Sequence, residues 1–143
     1  MKIFISIASY QDPLLVSTIF GAYNNAQNKD GLIFSICDQA DNPVIIDDLP
    51  FSDQVKYEHV DPVFSKGPCW ARQRAQSFYQ DEEYFLQIDS HTQFLPGWDI
   101  LFRDSFLKIE ALGSSDPYFA KPIITSYPCL LYTSDAADDT LCV

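Results

Sequence analysis

The stretch that decides the fold is residues 2–39, "KIFISIASYQDPLLVSTIFGAYNNAQNKDGLIFSICDQ". Lys2 to Ala8 is an apolar run with β-branched residues, bounded by polar ones, of the length expected of a buried strand. Asp12 followed by Pro13 reads as a helix N-cap with proline in the first helical position. The helix this opens, PLLVSTIFGAYNNAQ, runs to about Ala26 before NKDG breaks it. LIFSICDQ is then a second buried strand that ends near Asp38. Strand, helix, strand at this spacing favours a parallel pair with a right-handed crossover, the opening of an α/β sheet.

Outward from that unit, residues 40–53 are rich in Asp, Asn and Pro and read as loop, and VKYEHV as a third, edge-like strand. Pro68 opens a helix over PCWARQRAQSFYQ, with Arg72 and Arg74 near its start. A helix N-terminus already carries the positive end of the macrodipole, so arginines there favour an anion nearby. EYFLQID is the fourth strand. Pro96 opens the helix PGWDILFRDSFLKIEALG, with Trp98, Phe102, Phe106 and Ile109 on one face and Gly113 past its end.

A chain of 143 residues suits one compact domain, and 47% hydrophobic and 15% aromatic residues exclude a disordered segment. The net charge of −11 argues against nucleic acid or an anionic membrane surface as partner, though a divalent cation can hold a diphosphate against such a field. No apolar stretch approaches the roughly 20 residues of a membrane span, and MKIFISIASYQDP lacks a cleavage site after its short apolar run. Cys37, Cys69, Cys129 and Cys142 form no CxxC pair, so reduced thiols and a cytoplasmic location are expected. The last segment, CLLYTSDAADDTLCV, has no Lys or Arg and no periodicity. LLYTSDAADD resembles translated sequencing-adapter read-through, so residues 1–128 are read as the natural part and 129–143 as a non-native tail.

Asp89 and His91 directly follow the fourth strand, and ligands of open α/β sheets bind outside the carboxyl ends of strands. Residues two apart in an extended segment point to one side. Two readings fit that spacing equally: both side chains ligate one cation, a mixed donor set that suits Mn2+ better than Ca2+, or Asp89 caps a turn and His91 is a solvated loop residue. Arg72 and Arg74 are by the same token a solvated helix face or, with Lys66, a cationic arm for a diphosphate. Asp38 is an Asx turn or an acceptor for a base or ribose. His59 has no ligand partner at suitable spacing and reads as structural or exposed. There is no nucleophile elbow, P-loop or dinucleotide fingerprint.

The ordered set IFISIASYQDP, ICDQ, KGPCWARQRA, YFLQIDSHTQFLPGWD and KPIITSYP resembles the GlcNAc-transferase family that includes hydroxyproline-linked N-acetylglucosaminyltransferases. More distantly it resembles the polypeptide N-acetylgalactosaminyltransferases, which share the D-S-H step after a strand. The resemblance implies a GT-A-type, Rossmann-like sheet flanked by helices, truncated here before its acceptor half, and hence a fragment expected to be inactive by itself. It implies transfer with retention of a sugar, GlcNAc, from a UDP-sugar donor to a protein or glycan acceptor. It makes Asp89 and His91 ligands of Mn2+ or Mg2+, puts Ser9 and Asp38 around uridine, and puts Lys66, Arg72 and Arg74 near the diphosphate. The rival readings are a metal-assisted phosphoesterase or nucleotidyltransferase and a non-catalytic sugar- or protein-binding module.

Overall fold

The structure, a computed structural model, describes residues 1–113 and 122–125. Half of KPIITSYP and all of 129–143, with Cys129 and Cys142, lie outside the described residues. The chain divides into two units, Met1–Arg103 and Asp104–Val143. The first holds strands β1 (Ile3–Tyr10), β2 (Leu32–Gln39), β3 (Val55–Val60) and β4 (Tyr84–Asp89), helices α1 (Leu15–Asn25) and α2 (Pro68–Gln76), and the start of α3 (Trp98–Gly113). The second holds the remainder of α3 and the irregular residues 122–125.

The four strands form one parallel sheet in the order β3-β2-β1-β4. β1 and β2 have partners on both sides and read as continuous apolar runs because each is buried on both faces. The chain builds outward from β1 to β3 and then returns to add β4 on the other side. The switch point of the sheet therefore lies between β1 and β4, and the crevice outside the carboxyl ends of strands at such a point is where α/β sheets bind ligands. The register aligns Ala8 with Cys37 and Asp89, and Ser9 with Asp38.

Alternation gives the two faces of the sheet different side chains. One face carries Phe34, Ile36 and Asp38, and Phe51 packs on it together with Phe20 and Tyr23 of α1. The other carries Ser35, Cys37 and Ala8, small enough for α2 to settle closely with Ala71 and Ala75, and Ser35 Oγ donates to the Ala75 carbonyl at 2.7 Å. Burying each large apolar side chain contributes about 1.5–3 kcal/mol, and Ile3, Phe4, Ile5, Ile7, Leu32, Phe34 and Ile36 are all fully buried.

The first helix starts later than the Asp-Pro pair predicts. Gln11 takes a left-handed conformation with φ 49°, and its amide donates to the Gln39 carbonyl, so the turn extends beyond β1 and α1 begins at Leu15. Asp12 still accepts from the Leu14 amide at 2.9 Å, but as a turn ahead of the helix rather than its N-cap. Helix α3 likewise begins at Trp98: Gly97, at φ +74°, turns the chain and donates its amide to the Asn25 carbonyl at 2.7 Å. Gly113 closes that helix rather than following it, and Phe102, Phe106 and Ile109 are half-buried along the expected face.

Candidate functional site

β4 delivers Asp89, Ser90 and His91 at the switch point, and the three side chains have different fates. Ser90 is buried: its carbonyl accepts from Thr18 Oγ1 at 2.7 Å and its hydroxyl donates to Asp12 Oδ2 at 2.5 Å. The residues on either side are turned outward, with the Asp89 side chain 63% and the His91 side chain 61% exposed. Thr92 Oγ1 closes the turn on the Asp89 carbonyl at 2.8 Å. The buried serine is thus a pin that presents a carboxylate and an imidazole to solvent.

Behind His91 stands Asp12, from the loop after β1. Its Oδ2 lies 2.9 Å from His91 Nδ1, and its side chain is only 15% exposed. Burial pushes the Asp12 carboxyl upward, but the bonds from Ser90, His91 and the Leu14 amide outweigh it and hold the group below the ordinary aspartate value. Sequence reasoning missed this residue as a member of the site, because its partners lie 78 and 79 residues away.

The arginines read as one arm are separated. Arg72 reaches Asp89, with Nη2 3.5 Å from Oδ1, at the candidate site. Arg74 makes a two-pronged pair with Glu58 of β3 and lies over the Trp70 ring at 5.1 Å. Glu58, His59, Phe64, Lys66, Trp70 and Arg74 line an open groove of about 750 Å3 on the β3 side, so Lys66 and Arg74 share that groove rather than the surroundings of Asp89.

A smaller recess of about 100 Å3 opens at the carboxyl ends of β1 and β2, lined by Ser9, Tyr10, Gln39, Ser65 and Gly67 among others. Gly67, at φ +90°, forms the entry to α2. Ser9 is buried, and its hydroxyl has no hydrogen-bond partner. Gln39 braces the recess, its amide donating to the Ser9 carbonyl at 2.9 Å and its oxygen accepting from Ser65 Oγ at 2.6 Å. Asp38 is buried as well, but its Oδ2 accepts from the Tyr57 hydroxyl at 2.8 Å, and that hydroxyl accepts from the Val44 amide. Burial, aided by Asp38, raises the Tyr57 phenol far above its ordinary value. The structure therefore pairs Arg72 with Asp89 and Asp12 with His91 on either side of the buried Ser90, sets Ser9 at the neighbouring recess, and engages Asp38, which leaves the sheet on the face opposite to Asp89, with Tyr57.

A family model for glycosyltransferase (GlcNAc) matches residues 45–141, more than half of the chain. The chain belongs to this glycosyltransferase family. No curated protein matches it. The matched segment contains β3, α2, β4, the Asp89–His91 step, Lys66 and both arginines, and extends through 129–141, while Ser9, Asp12 and Asp38 precede it. Glycosyltransferase function, with a sugar donor and an acceptor, follows for the chain. Among the described residues, no helix is long and apolar enough to cross a membrane.

Proposed function

We propose that this glycosyltransferase binds a UDP-sugar, with GlcNAc as the sugar, outside the carboxyl ends of β1, β2 and β4, and transfers the sugar with retention to a protein or glycan acceptor. The observation that carries the reading is the presentation of Asp89 and His91, both outward around a pinned Ser90, at the switch point of a parallel sheet. A GT-A-type sheet is consistent with this topology, and the GlcNAc identity rests on the family and on the motif resemblance.

A carboxylate and an imidazole, both exposed, suit Mn2+ or Mg2+, which commonly bind nucleotides through one or two protein ligands plus phosphate oxygens and water. Among the described residues, no group of three or more His, Cys, Asp or Glu is arranged to hold a metal ion, Asp12 meeting His91 from behind. The cation, when bound, would act as a Lewis acid that stabilises the negative charge on the departing diphosphate. Arg72 is held near Asp89 by one long contact, so its guanidinium is free to turn to a phosphate without breaking a buried pair. Ser9 lines the small recess at the ends of β1 and β2, on the side assigned here to the nucleoside, and Lys66 lies just before the entry to α2.

Thermal denaturation with UDP, in the presence and absence of Mn2+, tests the reading, because a ligand that binds only the folded state raises its stability. UDP and Mn2+ together are expected to raise the midpoint more than either alone, and Asp89→Ala to remove that shift. An equal response to UDP without metal, or a full response in Asp89→Ala, refutes the donor site.

A further inference from the structure

We propose that Asp12 is a positioning residue that fixes His91 as the Nδ1–H tautomer and so leaves the lone pair of Nε2 outward, available to a divalent cation. The cation belongs to the donor-site reading above; the tautomer does not depend on it.

An ionised carboxylate accepts hydrogen bonds and donates none, so the proton in the 2.9 Å contact between Asp12 Oδ2 and His91 Nδ1 belongs to the imidazole. Nδ1 being the protonated nitrogen of the neutral ring, Nε2 carries the lone pair. Asp12 cannot easily swing away: Oδ1 accepts from the Leu14 amide at 2.9 Å, Oδ2 accepts from Ser90 Oγ at 2.5 Å, and Ser90 is itself held by Thr18. The imidazole is otherwise exposed, so this contact is what restrains its rotation. A carboxylate behind a ligating imidazole fixes the ring and raises its basicity toward metal, and its loss typically costs 10–100-fold in metal affinity. Asp12 and His91 come from the loops after β1 and β4, the strands that flank the switch point, so the fold itself assembles the pair.

His59 supplies an internal contrast. Its Nε2 lies 2.6 Å from the Ala40 carbonyl, which also only accepts, so His59 is the Nε2–H tautomer. The two histidines of the chain hold opposite tautomers.

Long-range proton–nitrogen correlation spectra of the uniformly 15N-labelled 143-residue chain, without metal and at a pH where both rings are neutral, read both tautomers directly. His91 is expected as Nδ1–H and His59 as Nε2–H. In Asp12→Ala, His91 should become a mixture while His59 stays unchanged, which also reports an intact sheet. The affinity for Mn2+ alone, read by water-proton relaxation, should fall about 10–100-fold. Asp12→Asn, whose amide oxygen can still accept from Nδ1, should retain much of the tautomer bias. A wild-type His91 that is Nε2–H or mixed overturns the inference, as does an Asp12→Ala chain with unchanged tautomer and Mn2+ affinity. A wild-type chain with His91 fixed as Nδ1–H that takes up no Mn2+ refutes the donor site instead and upholds the tautomer.

Discussion

β2 and β4 lie on either side of β1, and each presents an aspartate at its carboxyl end, yet the two aspartates have opposite environments. Asp38 is 2% exposed and holds the Tyr57 hydroxyl, whereas the Asp89 side chain is 63% exposed and, among the described residues, meets Arg72 at 3.5 Å. The causes are the face each side chain leaves from and the place of its strand: Asp38 lies beside Ser9 and Asp89 beside Ala8, so the two point to opposite faces of the sheet. β3 covers the outer side of β2 and brings Tyr57 against Asp38, while β4 has β1 alone as its strand neighbour among the described residues. One residue type at the ends of two strands is thus buried and structural on one face and exposed on the other.

The sharpest way to break that comparison is to remove each carboxylate. Asp38→Ala leaves the half-buried Tyr57 hydroxyl without its acceptor and should destabilise the fold by about 1–2 kcal/mol, read from the urea midpoint. Asp38→Asn keeps an acceptor for Tyr57 and should cost less. Asp89→Ala removes an exposed group and should change stability by less than about 0.5 kcal/mol. Similar losses at the two positions would mean that burial does not separate their roles.

A second test uses the buried side of β2. Burial pushes the Cys37 thiol up to about 11, and the negative charges of Glu58 and Asp38 add to the shift against the opposing charge of Arg74. A group whose pKa is raised on folding contributes fully below its unfolded value, about 8.5 for cysteine, and that contribution is lost as pH rises toward the folded value. Stability should therefore decline from about pH 8.5 to about 11, and Cys37→Ser should flatten the decline. The same burial predicts that Cys69, which is exposed, reacts quickly with a maleimide while Cys37 reacts only on unfolding, as peptide mass spectrometry would show.

Strands β1, β2 and β4 were legible because continuous apolar runs between polar stretches have few other uses, and the edge position of β3 was legible in its mixed pattern. Spacing alone left Asp89 and His91 divided between a shared cation site and a turn with a solvated histidine; the chain turns at residues 90 and 91, so the period of an extended strand does not set their directions. The role of Asp12 was not legible, since only the parallel register of β1 with β4 brings its loop to the D-S-H turn. Asp99 was hidden for a similar reason. It resembles any acidic residue in the first turn of a helix, but it is fully buried and its two oxygens accept from the Gln27 and Asn28 amides at 2.9 and 2.8 Å.

The two arginines of α2 give the smallest effect and the finest test. At about 100° per residue, positions two apart on a helix point to nearly opposite sides, so the separation of Arg72 from Arg74 is legible in the sequence even though their shared charge suggests one arm. Arg74 closes a two-pronged pair with Glu58 and covers Trp70, so Arg74→Ala should lower the thermal midpoint slightly and leave the UDP and Mn2+ response intact. Arg72 is bound to little else than an exposed carboxylate, and such pairs contribute about 0–1 kcal/mol. Arg72→Ala should therefore leave the midpoint of the free chain nearly unchanged while weakening the joint response to UDP and Mn2+. The opposite assignment, with Arg74→Ala as the variant that loses the ligand response, would move the diphosphate from the β4 turn to the groove beside β3.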